Sequence, residues 1–85
     1  MYQVFILPKA FEDLSKIDKT ISKRITDKLA WLSENIEAIM PLPFGGEYSG
    51  FYKLRIGDWR VIYDIDRDAK VITIHKAGHR REIYE

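Results

Sequence analysis

The stretch Tyr52-Lys53-Leu54-Arg55-Ile56-Gly57-Asp58-Trp59-Arg60-Val61-Ile62-Tyr63 decides the fold of this chain. Residues of high strand propensity flank Gly57-Asp58, which predicts two antiparallel strands joined by a tight turn. Asp66 to Ala69 has the composition of a second turn, and a last strand follows it. The predicted strands are residues 52–56, 59–65 and 70–77.

The N-terminal part predicts one strand followed by a short helix. The strand, residues 2–7, ends at Pro8, which suits the first turn of a helix. Phe11, Leu14 and Ile17 recur at three-residue spacing and indicate a helix of about nine residues.

A second helix has the clearest periodicity, with Asp18 as its expected N-cap. Pro41 and Pro43 end it, and glycines at 45, 46 and 50 predict a flexible connection. The predicted fold is α+β in the order β-α-α-β-β-β, with the helical hairpin on one face of a four-stranded, mostly antiparallel sheet. The apolar stripe of the second helix consists of Ile21, Ile25, Leu29, Leu32 and Ile36.

Composition restricts the class of protein. The 85 residues are expected to form one domain, residues 1–85, without disulfides because the chain has no cysteine. His75 and His79 lie in a strand-like context that does not suggest a metal site. No signal peptide and no membrane-spanning run is seen, so we expect a cytosolic protein without a membrane partner. Residues 1–50 carry six Lys and Arg against seven Asp and Glu, and residues 51–85 carry eight against six.

Cationic side chains alternate with apolar ones in the predicted strands. Lys53 and Arg55 lie opposite the Leu54 side, and Arg60 lies opposite the Trp59 side, so the three would line a cationic sheet face. Cationic side chains that lie beside aromatic rings are suited to binding phosphates and exposed bases. An equally weighted alternative is that Lys and Arg on edge strands only discourage aggregation.

The C-terminal tail is the second candidate region. Gly78 permits a sharp change of direction that would carry His79, Arg80, Arg81 and Tyr84 back over the sheet. His79 titrates naturally near neutrality, although a terminal histidine is more often solvated than catalytic. We interpret His75, inside the last strand, as structural or interfacial.

Nearly the whole chain resembles the RelE/ParE superfamily of small toxins, and its RelE branch in particular. The similarity lies in the opening strand, the helical hairpin and three motifs: Gly-Phe-Tyr-Lys-Leu-Arg at 50–55, Trp-Arg-Val-Ile-Tyr at 59–63 and Gly-His-Arg-Arg-Glu-Ile-Tyr at 78–84. The resemblance implies a type II toxin whose partners are a RelB-like antitoxin, the ribosome and messenger RNA. It implies metal-independent and cofactor-free cleavage of the message in the ribosomal A site, by attack of a 2′-hydroxyl on the adjacent phosphate.

The same resemblance implies roles for individual residues. Arg60 and Arg80 match phosphate-binding arginines, Tyr84 matches a C-terminal tyrosine, and Lys53, Arg55 and Arg81 would bind RNA. Arg55 stands where the family has a lysine, and arginine keeps its proton at any relevant pH.

The proton transfers of this cleavage reaction could be achieved in two ways. We expect His79 to handle the proton with support from Tyr84, although the segment from Gly78 to Tyr84 is shorter than in well-known members. The competing possibility is catalysis by orientation and charge stabilisation alone.

Two other functions stay open. ParE-type members share the fold and inhibit DNA gyrase without nuclease chemistry, and a non-enzymatic or decayed member would only bind a partner or RNA. In either toxin branch, an antitoxin that is largely disordered alone is expected to fold on the toxin.

Overall fold

The computed structural model describes residues 1–45 and 49–83. Eight elements follow one another in these residues, and five of them are strands of a single sheet in the order β1-β5-β4-β3-β2. The elements are β1 (Gln3–Ile6), α1 (Pro8–Lys16), α2 (Lys19–Asn35), β2 (Leu42–Pro43), β3 (Tyr52–Ile56), β4 (Trp59–Asp66), β5 (Val71–His79) and α3 (Arg80–Ile83).

The predicted α+β class is confirmed, and the predicted number of strands is wrong. The three C-terminal strands pair antiparallel, β1 pairs parallel with β5, and the extra strand β2 pairs with β3. Proline is tolerated in β2 because this strand lies at the sheet edge, where a missing N–H breaks no ladder. The predicted loop glycine Gly46 lies outside the described residues.

Helices α1 and α2 cover one face of the sheet, as predicted. Asp18 caps α2, because its carboxylate accepts a hydrogen bond from the backbone N–H of Thr20 at 3.0 Å. The predicted short helix is confirmed as α1, in which Phe11 is 65% exposed and Ala10 and Leu14 are buried. No helix within the described part of the chain is long and apolar enough to cross a membrane.

A single apolar core lies between the helices and the sheet. Tyr63 is at its centre with 1% of its surface exposed, and burial raises the pKa of its hydroxyl to about 12. Buried side chains from both helices and three strands join it: Ala10 and Leu14 from α1, Ile25, Leu29, Leu32 and Ile36 from α2 and its end, and Leu54, Ile56, Val61, Ile72 and Ile74 from β3, β4 and β5.

The C-terminal segment differs from the expected turn at Gly78. Strand β5 runs through Gly78 to His79, and α3 starts directly afterwards. A Cβ atom at Gly78 would lie 3.5 Å from Cδ1 of Ile83, which is buried against this position. This is an ordinary van der Waals distance, so α3 packs closely on the sheet at Gly78, and the chain turns one residue later.

Asp13 connects α1 to the end of the sheet. Strand β1 ends at Ile6, so the backbone N–H of Ala77 has no neighbouring strand on that side. The Asp13 carboxylate accepts a hydrogen bond from this N–H at 3.1 Å and pairs with Lys9 at 2.7 Å. A side chain thus satisfies a backbone donor just before the tail begins.

We predict that Asp13→Ala destabilises the protein by about 1–3 kcal/mol, because the N–H of the buried Ala77 loses its acceptor. Asp13→Asn keeps an acceptor oxygen, so we expect it to lower the free energy of unfolding clearly less than Asp13→Ala does. Urea unfolding followed by circular dichroism measures both. Equal losses in the two variants would show that the hydrogen bond to Ala77 is unimportant.

Candidate functional site

The pairing of β3 with β4 gathers the predicted cationic residues on the sheet face away from α1 and α2, here called the open face. Arg55 lies directly opposite Arg60, and Lys53 lies opposite Ile62. Their neighbours Leu54, Val61 and Tyr63 point into the core. Because paired residues share a face, Lys53, Arg55 and Arg60 all lie on the open face.

Arg55 and Arg60 form a like-charged pair across the two strands. The guanidinium of Arg60 folds back onto its own turn, where Nη1 donates to the carbonyls of Gly57 at 2.7 Å and Trp59 at 2.9 Å. Its Nε is buried and has no hydrogen-bond partner among the described residues. Like charges directly opposite each other are unfavourable in a sheet. An anion bound between them would offset this repulsion.

A β-bulge in β5 changes which side chains lie on the open face. Strict alternation along the strand therefore predicts the wrong face at this point. Ile62 pairs with Lys76, whereas the next residue, Tyr63, pairs with Ile74, so His75 is the extra residue. Lys76 therefore shares the open face with Ile62, and Ala77 returns to the core. Lys76 is not among the site residues predicted from the sequence. The adjacent polar residues His75-Lys76 between Ile74 and Ala77 are the signal that could have revealed it.

His75 is tied to two neighbours on the open face. Its Nε2 lies 2.5 Å from a carboxylate oxygen of Asp64, and its ring meets Phe51 edge to face with the centroids 4.9 Å apart. The interpretation of His75 as structural or interfacial agrees with these contacts.

His79 and the arginines of α3 occupy the end of the sheet. His79 pairs with Trp59, and the two rings meet edge to face at 5.4 Å. Because Trp59 packs against the core, the imidazole of His79 lies on the helix side and not on the side of Arg60. Its Nδ1 accepts a hydrogen bond from the backbone N–H of Arg81 at 3.2 Å.

Arg80 is fixed to the β3–β4 turn through its backbone. Its N–H donates to the carbonyl of Asp58 at 2.8 Å, and its Nε lies 3.9 Å from the Asp58 carboxylate. Helix α3 packs on β5 and β4, so Arg80 and Arg81 stay at the same end of the sheet as Arg60. The predicted site residue Tyr84 lies outside the described residues.

Comparison with known families gives a match over nearly the whole chain. Residues 4–84 match the model of the ParE toxin of the type II toxin–antitoxin system parDE. No curated protein matches the sequence.

Several solved structures have the same fold. One is the toxin–antitoxin complex RelBE2 from Mycobacterium tuberculosis, with a TM-score of 0.82 and 26% identity over 93% of this chain and 98% of that chain. Another is the archaeal RelE–RelB complex from Pyrococcus horikoshii, with a TM-score of 0.70 and 27% identity over 93% and 94%. The isolated E. coli RelE toxin has a TM-score of 0.77 and 17% identity over 93% and 84%, and at that identity it shows the fold alone.

We predict that Arg55→Gln raises the melting temperature at low ionic strength by about 1–6 °C, because the variant removes the repulsion from Arg60. The gain should shrink in 1 M salt, which screens charges over about 3 Å. Thermal unfolding at both salt concentrations measures the effect.

Arg55→Lys is the matched control, since it keeps the charge at the same strand position. A gain that is equal in the two variants, or independent of salt, would rule out like-charge repulsion as its cause.

Proposed function

The chain belongs to the RelE/ParE superfamily of type II toxins, and we propose that it acts as a RelE-type endoribonuclease that cuts messenger RNA in the ribosomal A site. The observation that carries the proposal is the pair Arg55–Arg60, in which two arginines occupy directly opposite strand positions on the open face. Phosphate is the ligand that guanidinium groups bind in bidentate fashion.

The proposed reaction needs stabilisation of charge on phosphorus. The 2′-hydroxyl oxygen forms a bond to the adjacent phosphorus, and the bond from phosphorus to the 5′-oxygen breaks. The products are a 2′,3′-cyclic phosphate and a free 5′-hydroxyl. The proton lost by the 2′-oxygen is balanced by the proton gained by the 5′-oxygen. Arg55, Arg60 and Arg80 would stabilise the negative charge that develops on the phosphate oxygens between these steps.

The position of His79 favours catalysis by orientation and charge over a dedicated histidine base. Its ring packs on Trp59 at the helix side of the sheet, whereas the arginine pair lies on the open face. Arg55 holds its proton too firmly to act as a base. We therefore propose that Lys53, Arg55 and Arg60 orient the message and stabilise charge, with Arg81 as a further RNA contact. Tyr84 keeps its proposed role in stacking or proton transfer.

We also propose that a RelB-like antitoxin binds and neutralises the protein. Two of the structures it resembles at more than 25% identity are toxin–antitoxin complexes with a RelB partner. The toxin would act in the cytoplasm, where it meets ribosomes, and its antitoxin would fold on it.

A second candidate function follows from the family match itself. The matching family model is that of ParE toxins, so inhibition of DNA gyrase without cleavage of RNA is the alternative. Cell-free translation with primer-extension mapping of the message, run beside a gyrase supercoiling assay, separates the two. Cleavage within codons supports the RelE-type function, and loss of supercoiling with intact message supports the ParE-type function. If the message stays intact and supercoiling is not inhibited, the protein would be a member that only binds its partner.

We predict that Arg60→Gln and Arg80→Gln each slow ribosome-dependent cleavage by about 10²–10³-fold, because each removes a cation from the transition state. His79→Gln is expected to lower the cleavage rate by far less than the roughly 10²-fold that removal of a general acid or base costs. Single-turnover cleavage on programmed ribosomes measures all three rates.

Arg67→Gln is the control, because Arg67 is an exposed arginine in the β4–β5 turn, at the other end of β4 from Arg60. Melting temperatures show whether loss of the Arg60 contacts to its turn unfolds the protein. Full activity of both arginine variants would contradict the proposed site. A His79→Gln rate as low as that of Arg60→Gln would restore a proton-transfer role for the histidine.

A further inference from the structure

Phe51, Asp64 and His75 form a compact group on the open face, here called the ring cluster. The predicted roles of the cationic residues do not use it. Its polar members are partly accessible, with 31% of the His75 side chain and 36% of the Asp64 side chain exposed. Phe51 is likewise only half-buried. The cluster is therefore a surface feature in reach of a ligand and not a part of the core.

The arrangement of the rings leaves aromatic surface uncovered by the partner ring. Phe51 and His75 stand nearly perpendicular, with 85° between their planes. In an edge-to-face pair, the ring that contributes its edge keeps both faces clear of its partner. A flat apolar ligand can stack on such a face, and nucleobases are ligands of this shape.

Asp64 determines which hydrogen-bonding group His75 offers. An ionised carboxylate only accepts hydrogen bonds, so the neutral imidazole must carry its proton on Nε2, which faces Asp64. Nδ1 is then an acceptor, and it has no hydrogen-bond partner among the described residues. An acceptor beside a stacking ring fits a base with an exocyclic amino group, such as adenine.

The ring cluster continues the line of cations along β3. Arg55, Lys53 and Phe51 are alternate residues of one segment and share the open face, so each step is about 7 Å. A single-stranded RNA whose phosphates contact Arg55 and Lys53 would bring a base to Phe51. The neighbouring positive charge thus favours RNA as the occupant over an uncharged ligand.

We propose that the ring cluster is a nucleobase subsite that sets base preference next to the cleaved phosphate, with Phe51 stacking and His75 accepting a hydrogen bond from an amino group. This inference rests on the proposed RNA-cutting function. Its occupant is single-stranded RNA, and its preferred base carries an exocyclic amino group.

Binding of short RNA tests the subsite without requiring cleavage. Hexanucleotides of adenosine and of uridine are titrated against the protein, and NMR follows the side-chain signals of Phe51 and His75. We expect adenosine to bind more tightly and to move both signals. Phe51→Leu should weaken adenosine binding roughly tenfold because stacking is lost. His75→Phe should keep binding but reduce the preference for adenosine over uridine to the part that stacking alone provides.

Phe11→Leu is the matched control, because this exposed ring lies on α1 and not on the open face. Unchanged affinity and base preference in both cluster variants would overturn the subsite. So would variants that lose affinity for the antitoxin while RNA binding stays intact, because the cluster would then be a protein interface.

Cleavage mapping on ribosomes separates failure of the subsite from failure of the proposed function. Wild-type protein that cuts messages, with cluster variants that cut the same bases at the same rates, would overturn the subsite alone. Wild-type protein that cuts nothing but binds adenosine oligonucleotides through Phe51 and His75 would overturn the nuclease function and leave the subsite standing. Shifted base preference in the variants would support both.

Discussion

The one-residue bulge at His75 sets which side chains reach each face of the sheet. Without it, the alternation of β5 could not bury both Ile74 and Ala77 against the helices, because an even number of steps must separate residues on one face. The extra residue satisfies both demands, since Tyr63 pairs with Ile74 and Val61 pairs with Ala77. Bulges often re-aim side chains beside functional sites, and here the bulge turns Lys76 to the open face, beside His75.

The open face combines features that make little sense for stability alone. Two arginines oppose each other across β3 and β4, and the Nε of one of them is buried without a hydrogen bond among the described residues. Each of these features costs free energy in the isolated protein. Such costs are typical of sites that are completed by a ligand, and under the proposed function a phosphate backbone would supply the missing negative charge.

The two branches of the superfamily illustrate how fold and function separate. The family match is to ParE toxins, whereas the solved structures with the same fold include RelE toxins in complex with their antitoxins. A shared fold hosts different activities, so the decision depends on individual side chains. Arg55, Arg60 and Lys76 on one face favour a ligand rich in phosphate, and His79 on the other face shifts the expected mechanism toward charge stabilisation.

Local sequence was sufficient wherever short-range chemistry decides structure. Asp18 before a stripe of apolar residues predicted α2 and its cap, and Gly57-Asp58 between two strand-forming runs predicted the β3–β4 hairpin with Lys53, Arg55 and Arg60 on one face. These features depend on neighbours within a few residues, and helix and strand periods are read directly from the chain.

The tertiary structure alone decided the rest, because these features depend on contacts between distant residues. Edge pairing created β2 from a segment that reads as a loop, and the register of β5 against β4 moved Lys76 to the open face and His79 to the helix side. Strand β5 continues through Gly78, where the sequence indicated a turn, and Ile83 packs beside this glycine. A period of two predicts faces only while the strand stays regular, and only the partner strand reveals where an extra residue breaks it.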